Sequence, residues 1–452
     1  MSGRFIEADR DTAYMLPPSV QEWVSDSHLA RFIVEIVDQL NLEEIESSYR
    51  GRGSSAYHPK MLTALVFYGY ATGIFSSRKL EAATYDLVPC RYIAANTHPD
   101  HDTIATFRRR FLPQLTKHFH TILLIAAEAG VLKLGSVSLD GTKVKANASK
   151  HKALSYEYAC RLEQQYEQEV KELLAKAEQA DETAGAEELD IPEELSHRED
   201  RLKRIAEAKQ EIERRAAERD KREQEAYEHK LAERKKKSEK TGKKPGGGPP
   251  KEPESGPRKN DQVNLTDNES RIMPTSGGGF EQAYNAQAAV DVETKLIVTA
   301  HVTQQTNDKQ ELEPTLSLLE QLPAELGRAE DLLADAGYFS ETNVAACEQQ
   351  EITAYIAVGR TRHNAPLQLD AGASEPAAED ADVSTVMKHR LQTKAGKAKY
   401  AKRKGSSEPV FGIIKAVMGY RSFLLRGFEA VKGEWSLVCM AYNLKMLHRM
   451  IQ

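Results

Sequence analysis

Three carboxylates in this chain stand where a change of local structure is expected. Asp140 closes SVSLD at 136–140, Asp335 closes DLLAD at 331–335, and Glu408 opens the helical pattern SEPVFGIIK at 407–415. A carboxylate at the end of an apolar run is costly to leave without a cation. Three oxygen donors from distant segments suit a hard divalent ion such as Mg2+ or Mn2+. Two such ions about 4 Å apart can activate a water and stabilise a leaving oxygen in phosphodiester cleavage. Lys143, Lys145, Arg403 and Lys415 flank these acids in sequence and would hold phosphates. Each piece also has a plainer role: Asp140-Gly141 as a turn, Asp335 as a strand end, Glu408 as a partner of the helix dipole. Spacing alone does not choose between them.

A sheet is what must bring the acids together. Val137 and Leu139 alternate with Ser136 and Ser138, which predicts a strand with one buried face. AYNAQAAVDVETKLIVTAHVT predicts two strands around the turn Glu293-Thr294-Lys295. QELEPTLSLLEQL predicts a helix with Leu312, Leu316 and Leu319 on one face. DLLAD is a short buried strand, SETNVAACEQQ a helix capped by Ser340, and ITAYIAVG another strand. From 136 onward the order is strand, long insert, strand, strand, helix, strand, helix, strand. That order predicts an α/β fold, a mixed sheet covered by helices. If the strands ending at Asp140 and Asp335 are neighbours, both carboxylates project from one end of the sheet. Gly405 ends a basic helix, and Ser406 or Ser407 caps the next one. Seven residues of ideal helix return to within roughly 20° of the start, so Glu408 and Lys415 are expected on one exposed face.

The rest of the chain divides by composition. Residues 1–132 predict an all-α N-terminal domain. SHLARFIVEIVDQL has the strongest apolar stripe, and HPKMLTALVFYGYATG has Pro59 at its start and Gly73 at its end. HPDHDTIATFRRRFLPQL predicts a short helix with Asp102 as its cap and Arg108, Arg109 and Arg110 in its last turn. Such a set could be a DNA-binding module or a packing domain. Residues 153–235 are rich in Glu, Lys, Ala, Arg and Gln, with Leu202, Ile205 and Ile212 at heptad-like positions. They predict a helical hairpin or short coiled coil. Residues 236–279, Gly/Pro/Lys-rich at first, predict a disordered basic linker and the return to the core, which comprises 133–152 and 280–452.

Composition excludes several classes. No apolar run reaches the roughly 18 residues of a membrane span, so no membrane partner is expected. No apolar signal core opens the chain, which predicts a cytoplasmic location. Four scattered cysteines argue against a cysteine zinc site. The net charge of −6 looks wrong for a DNA-binding protein, but residues 388–407 hold eight Lys and Arg and no acid. The acidity lies instead in 161–231 and 366–382.

LDGTKVKANAS, YNAQAAVD, QQTNDKQEL, LADAGYFS and YAKRKGSSEPVFGIIK follow one another in this order. Together with HPKMLTALVFYGYATGIFSSRKLE and DHDTIATFRRRF near the N-terminus, they resemble the bacterial insertion-sequence transposases of the DDE class. The nearest fit is the branch with a Tyr-Arg-Glu-Lys signature, insertion-sequence group eleven-eighty-two. The resemblance implies a ribonuclease-H-like fold with the hairpin region inserted after the first strand. It implies Asp140, Asp335 and Glu408 as catalytic metal ligands for two Mg2+ or Mn2+ ions. It implies Tyr400, Arg403 and Lys415 as DNA-contacting residues. The signature has three residues between its Arg and Glu, whereas four separate Arg403 from Glu408, so Lys404 shares the arginine role as a candidate. Lys143, Lys145, Arg108 and Arg109 complete the expected DNA contacts. The expected partner is double-stranded DNA, terminal inverted repeats and target, engaged by a homodimer or larger synaptic assembly at the bacterial nucleoid. A decayed relative that binds DNA without cleaving it is the alternative, and a scaffold built on the hairpin a weaker third.

Overall fold

A computed structural model of the chain describes residues 19–49, 56–149, 152–182, 191–241, 248–275, 278–359 and 381–452. The chain falls into two compact units. One comprises Met1–Val144, Asn285–Leu425 and Glu429–Gln452, and the other Lys145–Tyr284 with Arg426–Phe428.

The first unit opens with helices. Leu29–Gln39 buries Ile33, Ile36 and Val37 of the stripe that its periodicity predicts, with Ala30 beside them. Pro59–Thr72 starts on Pro59 and ends at Gly73, whose φ of 85° is the left-handed conformation a C-terminal glycine supplies. Nearly all of that helix is buried, so it is the axis around which the others pack. His101–Lys117 differs from the expected short helix. Asp100, not Asp102, is its cap, accepting from the Thr103 amide at 2.8 Å. The helix continues through Pro113, which costs it one backbone hydrogen bond. Burial of Phe111, Leu112 and Leu115 on either side of the proline offsets that loss. Arg108, Arg109 and Arg110 are therefore mid-helix rather than in a last turn.

The sheet of this unit uses five strands: β1 (Ser136–Lys145), β5 (Phe280–Asp291), β6 (Ile297–Thr303), β7 (Asp331–Ala334) and β8 (Thr353–Ile356). Their spatial order is β6-β5-β1-β7-β8. β5 and β6 pair antiparallel, while β1–β7 and β7–β8 pair parallel. The hairpin between β5 and β6 turns at 292–296, where Lys295 takes a φ of 65°. Helices Leu312–Glu320 and Glu341–Gln349 supply the crossovers, the second capped by Ser340 as expected. This is the ribonuclease-H-like arrangement. Helix Phe428–Ile451, which no sequence pattern announced, covers the sheet. Its Trp435 donates to Gln287 O at 3.0 Å, and Asn443 bonds both the amide and carbonyl of Ile297.

The second unit holds the hairpin of helices Tyr156–Glu182 and Ile191–Thr241. Ile205, Ala208 and Ile212 pack with Leu154, Ala159 and Val263. Lys209–Glu163 and Arg198–Glu169 tie the two helices at 2.7 and 3.0 Å. Strands β2 (Ala153–Ser155) and β3 (Gln262–Asn264) pair antiparallel beside them, and β4 (Arg271–Pro274) pairs with the start of β5.

The expected linker over 236–279 is corrected here. The second helix reaches Thr241, and 262–274 contains two strands. Ion pairs and hydrogen bonds fasten residues 256–261. Arg219 grips Asp261 at 2.7 Å and Gly256 O at 2.9 Å, and Arg258 pairs with Glu223 at 2.8 Å. Residues 242–247 and 276–277 lie outside the described residues, as does most of the acidic stretch 366–382.

Candidate active site

The parallel register of β1 and β7 decides where the two aspartates stand. Ser136 pairs with Asp331, and Ser138 with Leu333. Two residues further along each strand are Asp140 and Asp335, so the carboxylates are level, on adjacent strands and on one face. Asp335 caps the turn Ala336–Tyr338, its Oδ1 accepting the Gly337 amide at 2.8 Å. Asp140 Oδ1 accepts the amide of Gly141 at 2.8 Å, and Oδ2 accepts the Ser407 hydroxyl at 3.1 Å. Burial pushes the Asp140 carboxyl above the usual carboxylate range. The Gly141 amide and Arg403 oppose that shift, the Asp335 charge adds to it, and the Ser407 hydroxyl opposes it weakly.

Glu408 lies in the first turn of helix Ser407–Gly412, about half exposed. Arg403 links it to Asp140: one guanidinium nitrogen is 3.6 Å from Asp140 Oδ2 and another 3.6 Å from Glu408 Oε1. Tyr400, on helix Lys394–Ala401, packs against Val292, Leu333 and Tyr355 and presents its ring 6.0 Å from the Arg403 guanidinium. Burial raises the Tyr400 phenol. Lys404 is exposed. Between the two cations that the spacing left open, Arg403 is the one that reaches the acids.

Sequence reasoning missed the polar layer beneath the acids. Asp308 Oδ1 accepts from Asn285 at 2.6 Å, Gln287 at 2.9 Å and Lys143 at 3.2 Å. The Tyr338 hydroxyl donates to Gln287 Oε1. Burial, followed by the charges of Asp308, Asp140 and Asp335, holds that phenol well above its ordinary value. Gly141 is packed onto this layer: a Cβ there would lie 2.2 Å from Gln287 Nε2. Asn285 and Gln287, two residues apart on an apolar strand, were the available signal. Polar side chains on an inward face need a reason to be there.

The donor chemistry fits a hard divalent ion: three carboxylates with a guanidinium already drawn between two of them. Among the described residues, however, no three acidic, histidine or cysteine side chains are gathered closely enough to form a ready-made cluster.

Residues 255–444 match the family described as Transposase DDE domain, and residues 18–110 match the Transposase domain (DUF772). The chain belongs to the DDE transposases. No curated protein and no solved structure matched it. The DDE match holds Asp335, Arg403, Glu408 and Lys415 and begins after Asp140. The transposase acts on DNA, and its family works with divalent metal. Among its described residues no helix is long and apolar enough to cross a membrane.

The other expected DNA contacts divide sharply. Arg108 is buried, donating to Phe75 O at 2.8 Å and to the Tyr70 hydroxyl at 3.2 Å, so it faces the interior rather than a phosphate. Arg109, one residue on, is exposed. Lys143 is paired with Asp308. Lys145 belongs to the second unit and pairs there with Glu281 at 2.8 Å. In the basic stretch, Lys399 pairs with Asp331 and Lys402 with Glu293, while Lys388, Lys394, Lys397 and Lys404 are exposed.

Lys415 departs most from expectation. Ile413–Val417 is a π-helical turn, so the ideal spacing from Glu408 does not apply. The ammonium bonds Thr142 Oγ1 and, at 3.1 Å, Lys143 O, and burial lowers its pKa. It is thus tied to β1 two residues beyond Asp140, rather than standing on an exposed edge. Lys415→Met should cost the transposase about 1 kcal/mol of stability through these lost bonds. The salt dependence of DNA binding should change by well under one unit of slope. Thermal melting and a salt titration of DNA affinity measure the two. Unchanged melting with a full unit lost from the slope would return Lys415 to the DNA surface.

Proposed function

We propose that this transposase hydrolyses DNA at the terminal inverted repeats of its own element and joins the freed 3′ ends to a target. In this reading Asp140, Asp335 and Glu408 are the catalytic residues and hold two Mg2+ or Mn2+ ions. Bound there, the ions would supply Lewis acidity to the attacking and leaving oxygens. The observation that carries the reading is the level register of Asp140 and Asp335 on β1 and β7, with Glu408 drawn to Asp140 through Arg403.

The chain's own groups do the remaining work. Ser407 and the Gly141 amide orient the Asp140 carboxylate. The Asp308 layer keeps Gly141 and Lys143 in place behind it. Lys388, Lys394, Lys397, Lys404 and Arg109 are the exposed cations suited to phosphates, and they account for DNA binding by a chain of net charge −6. Membership of the Tyr-Arg-Glu-Lys branch, and a homodimer or larger assembly holding two ends together, belong to the same proposal.

The test is incubation of the full chain with DNA carrying its element's ends and Mg2+, followed by mapping of the nicks. Nicks at the terminal repeats that depend on the metal are the expected result. Binding of the ends with no nick under any divalent ion would favour the alternative, a DNA-binding relative without catalysis.

A further inference from the structure

Arg403 holds its acids in an unusual way. Its side chain is about one-tenth exposed, and its guanidinium spans Asp140 Oδ2 and Glu408 Oε1. Both separations are 3.6 Å, longer than the roughly 2.7–2.9 Å of a charge-assisted hydrogen bond. The buried Nε has no hydrogen-bond partner. The Arg219 Nε likewise lacks a hydrogen-bond partner, so the distances make the difference: Arg219 sits at 2.7 and 2.9 Å from the two oxygens of Asp261. Toward Asp140 and Glu408, Arg403 is therefore held by charge and not by directed bonds. The chain on which it rides is a short turn between helices Lys394–Ala401 and Ser407–Gly412.

The oxygens it faces are also those a metal ion needs. Asp140 Oδ1 is engaged by Gly141, and Oδ2 already accepts from Ser407. A divalent ion shared by Asp140 and Glu408 requires direct oxygen contacts of about 2.1 Å. At that distance it cannot share the same pair of oxygens with a guanidinium lying between them.

We propose that Arg403 and a divalent ion compete for Asp140 and Glu408, so that loading the ion displaces the guanidinium from between the acids. The inference rests on the reading of these carboxylates as metal ligands. The exchange replaces one positive charge by two, which the mostly buried Asp140 and the half-exposed Glu408 both favour. It also frees a planar fork suited to a phosphate oxygen pair, beside the Tyr400 ring on which it can stack. Arg403 is then a positioning residue in one state and a phosphate ligand in the other. Metal entry and the grip on DNA become one coupled event, and the coupling is reciprocal.

The experiment is a Mn2+ titration of the full chain without DNA, followed by electron paramagnetic resonance of the free ion, on wild type, R403Q, R403K and D140N. Removing a neighbouring cation should tighten Mn2+ binding about tenfold in R403Q, the size expected for one charge at this range. R403K, whose compact ammonium cannot span both acids, should fall between R403Q and wild type. It also serves if R403Q does not fold as wild type does, which circular dichroism checks. Mn2+ binding in R403Q that is equal to wild type, or weaker, overturns the proposal: the guanidinium would then be a fixed support. A separate outcome tests the reading beneath it. If D140N binds Mn2+ as wild type does, the ion is not held by Asp140, and the metal-ligand assignment fails whatever Arg403 does.

Discussion

Asp140→Asn should reduce metal-dependent DNA cleavage by about 10³-fold, roughly 4 kcal/mol of transition-state stabilisation, while the protein melts at the same temperature or higher. The asparagine keeps the shape of the side chain and loses the anionic oxygen. Its amide group cannot replace a carboxylate toward a hard cation. The stability half of the prediction follows from the direction of the pKa shift. Burial raises the folded-state pKa of Asp140, so its ionised form is penalised by folding. A group whose folded pKa is raised contributes most below its unfolded pKa. That contribution is lost as pH rises through the folded value. At neutral pH the wild type carries that penalty and the asparagine variant does not. Loss of function with retained or increased stability is the signature of a strained functional carboxylate. Cleavage assays and thermal melting read the two halves. Cleavage within tenfold of wild type would remove Asp140 from the reaction. A lowered melting point accompanying lost activity would make it a structural aspartate.

Glu434→Ala should cost about 3–5 kcal/mol of stability, the largest single loss we expect. Glu434 is fully buried in helix Phe428–Ile451. Its carboxylate accepts the Leu424 and Leu425 amides at 3.0 and 2.9 Å and the Tyr70 hydroxyl at 3.2 Å. Arg108 donates to that same hydroxyl. Truncation leaves two amides without acceptors and strands the Arg108 cation in the interior. Burial raises the carboxyl pKa, with the amides and Arg108 opposing, so its ionisation also costs stability as pH rises through the folded value. The double variant Arg108→Met with Glu434→Leu should recover most of the loss, because an apolar pair removes both charges. Chemical denaturation of the single and double variants measures this. A single variant within about 0.5 kcal/mol of wild type would show that the cluster carries no net stability. This cluster also accounts for Arg108: one of three consecutive arginines serves the core.

Much of the site was legible in residue types. Asp140, Asp335 and Glu408 each stood at the end of a strand or in the first turn of a helix. The strand pattern from 136 to 357 gave the order of elements in a mixed sheet, because alternation and short apolar runs are local consequences of a pleated, half-buried backbone, while the ribonuclease-H-like fold came from the family resemblance. The helical N-terminal region and the hairpin followed from period and capping for the same reason. Helix Phe428–Ile451 escaped because it is buried nearly all round, and a helix without a polar face has no period to read.

Sequence by itself determined the kinds of elements, the order in which they occur, and which acids could be ligands. Those are properties of neighbours along the chain. Only the tertiary structure decided that β1 and β7 lie side by side with Asp140 and Asp335 level. It alone showed that Arg403 rather than Lys404 reaches the acids, and that Asp308, Asn285 and Gln287 support them. It also turned Arg108 inward, bound Lys415 to β1 through a π-helical turn, and fastened 256–261 by ion pairs to a helix some forty residues away in sequence. Each of these depends on residues far apart along the chain meeting in space. A side chain's partner across the fold is set by register and packing, and neither leaves a periodic trace in the sequence around that residue.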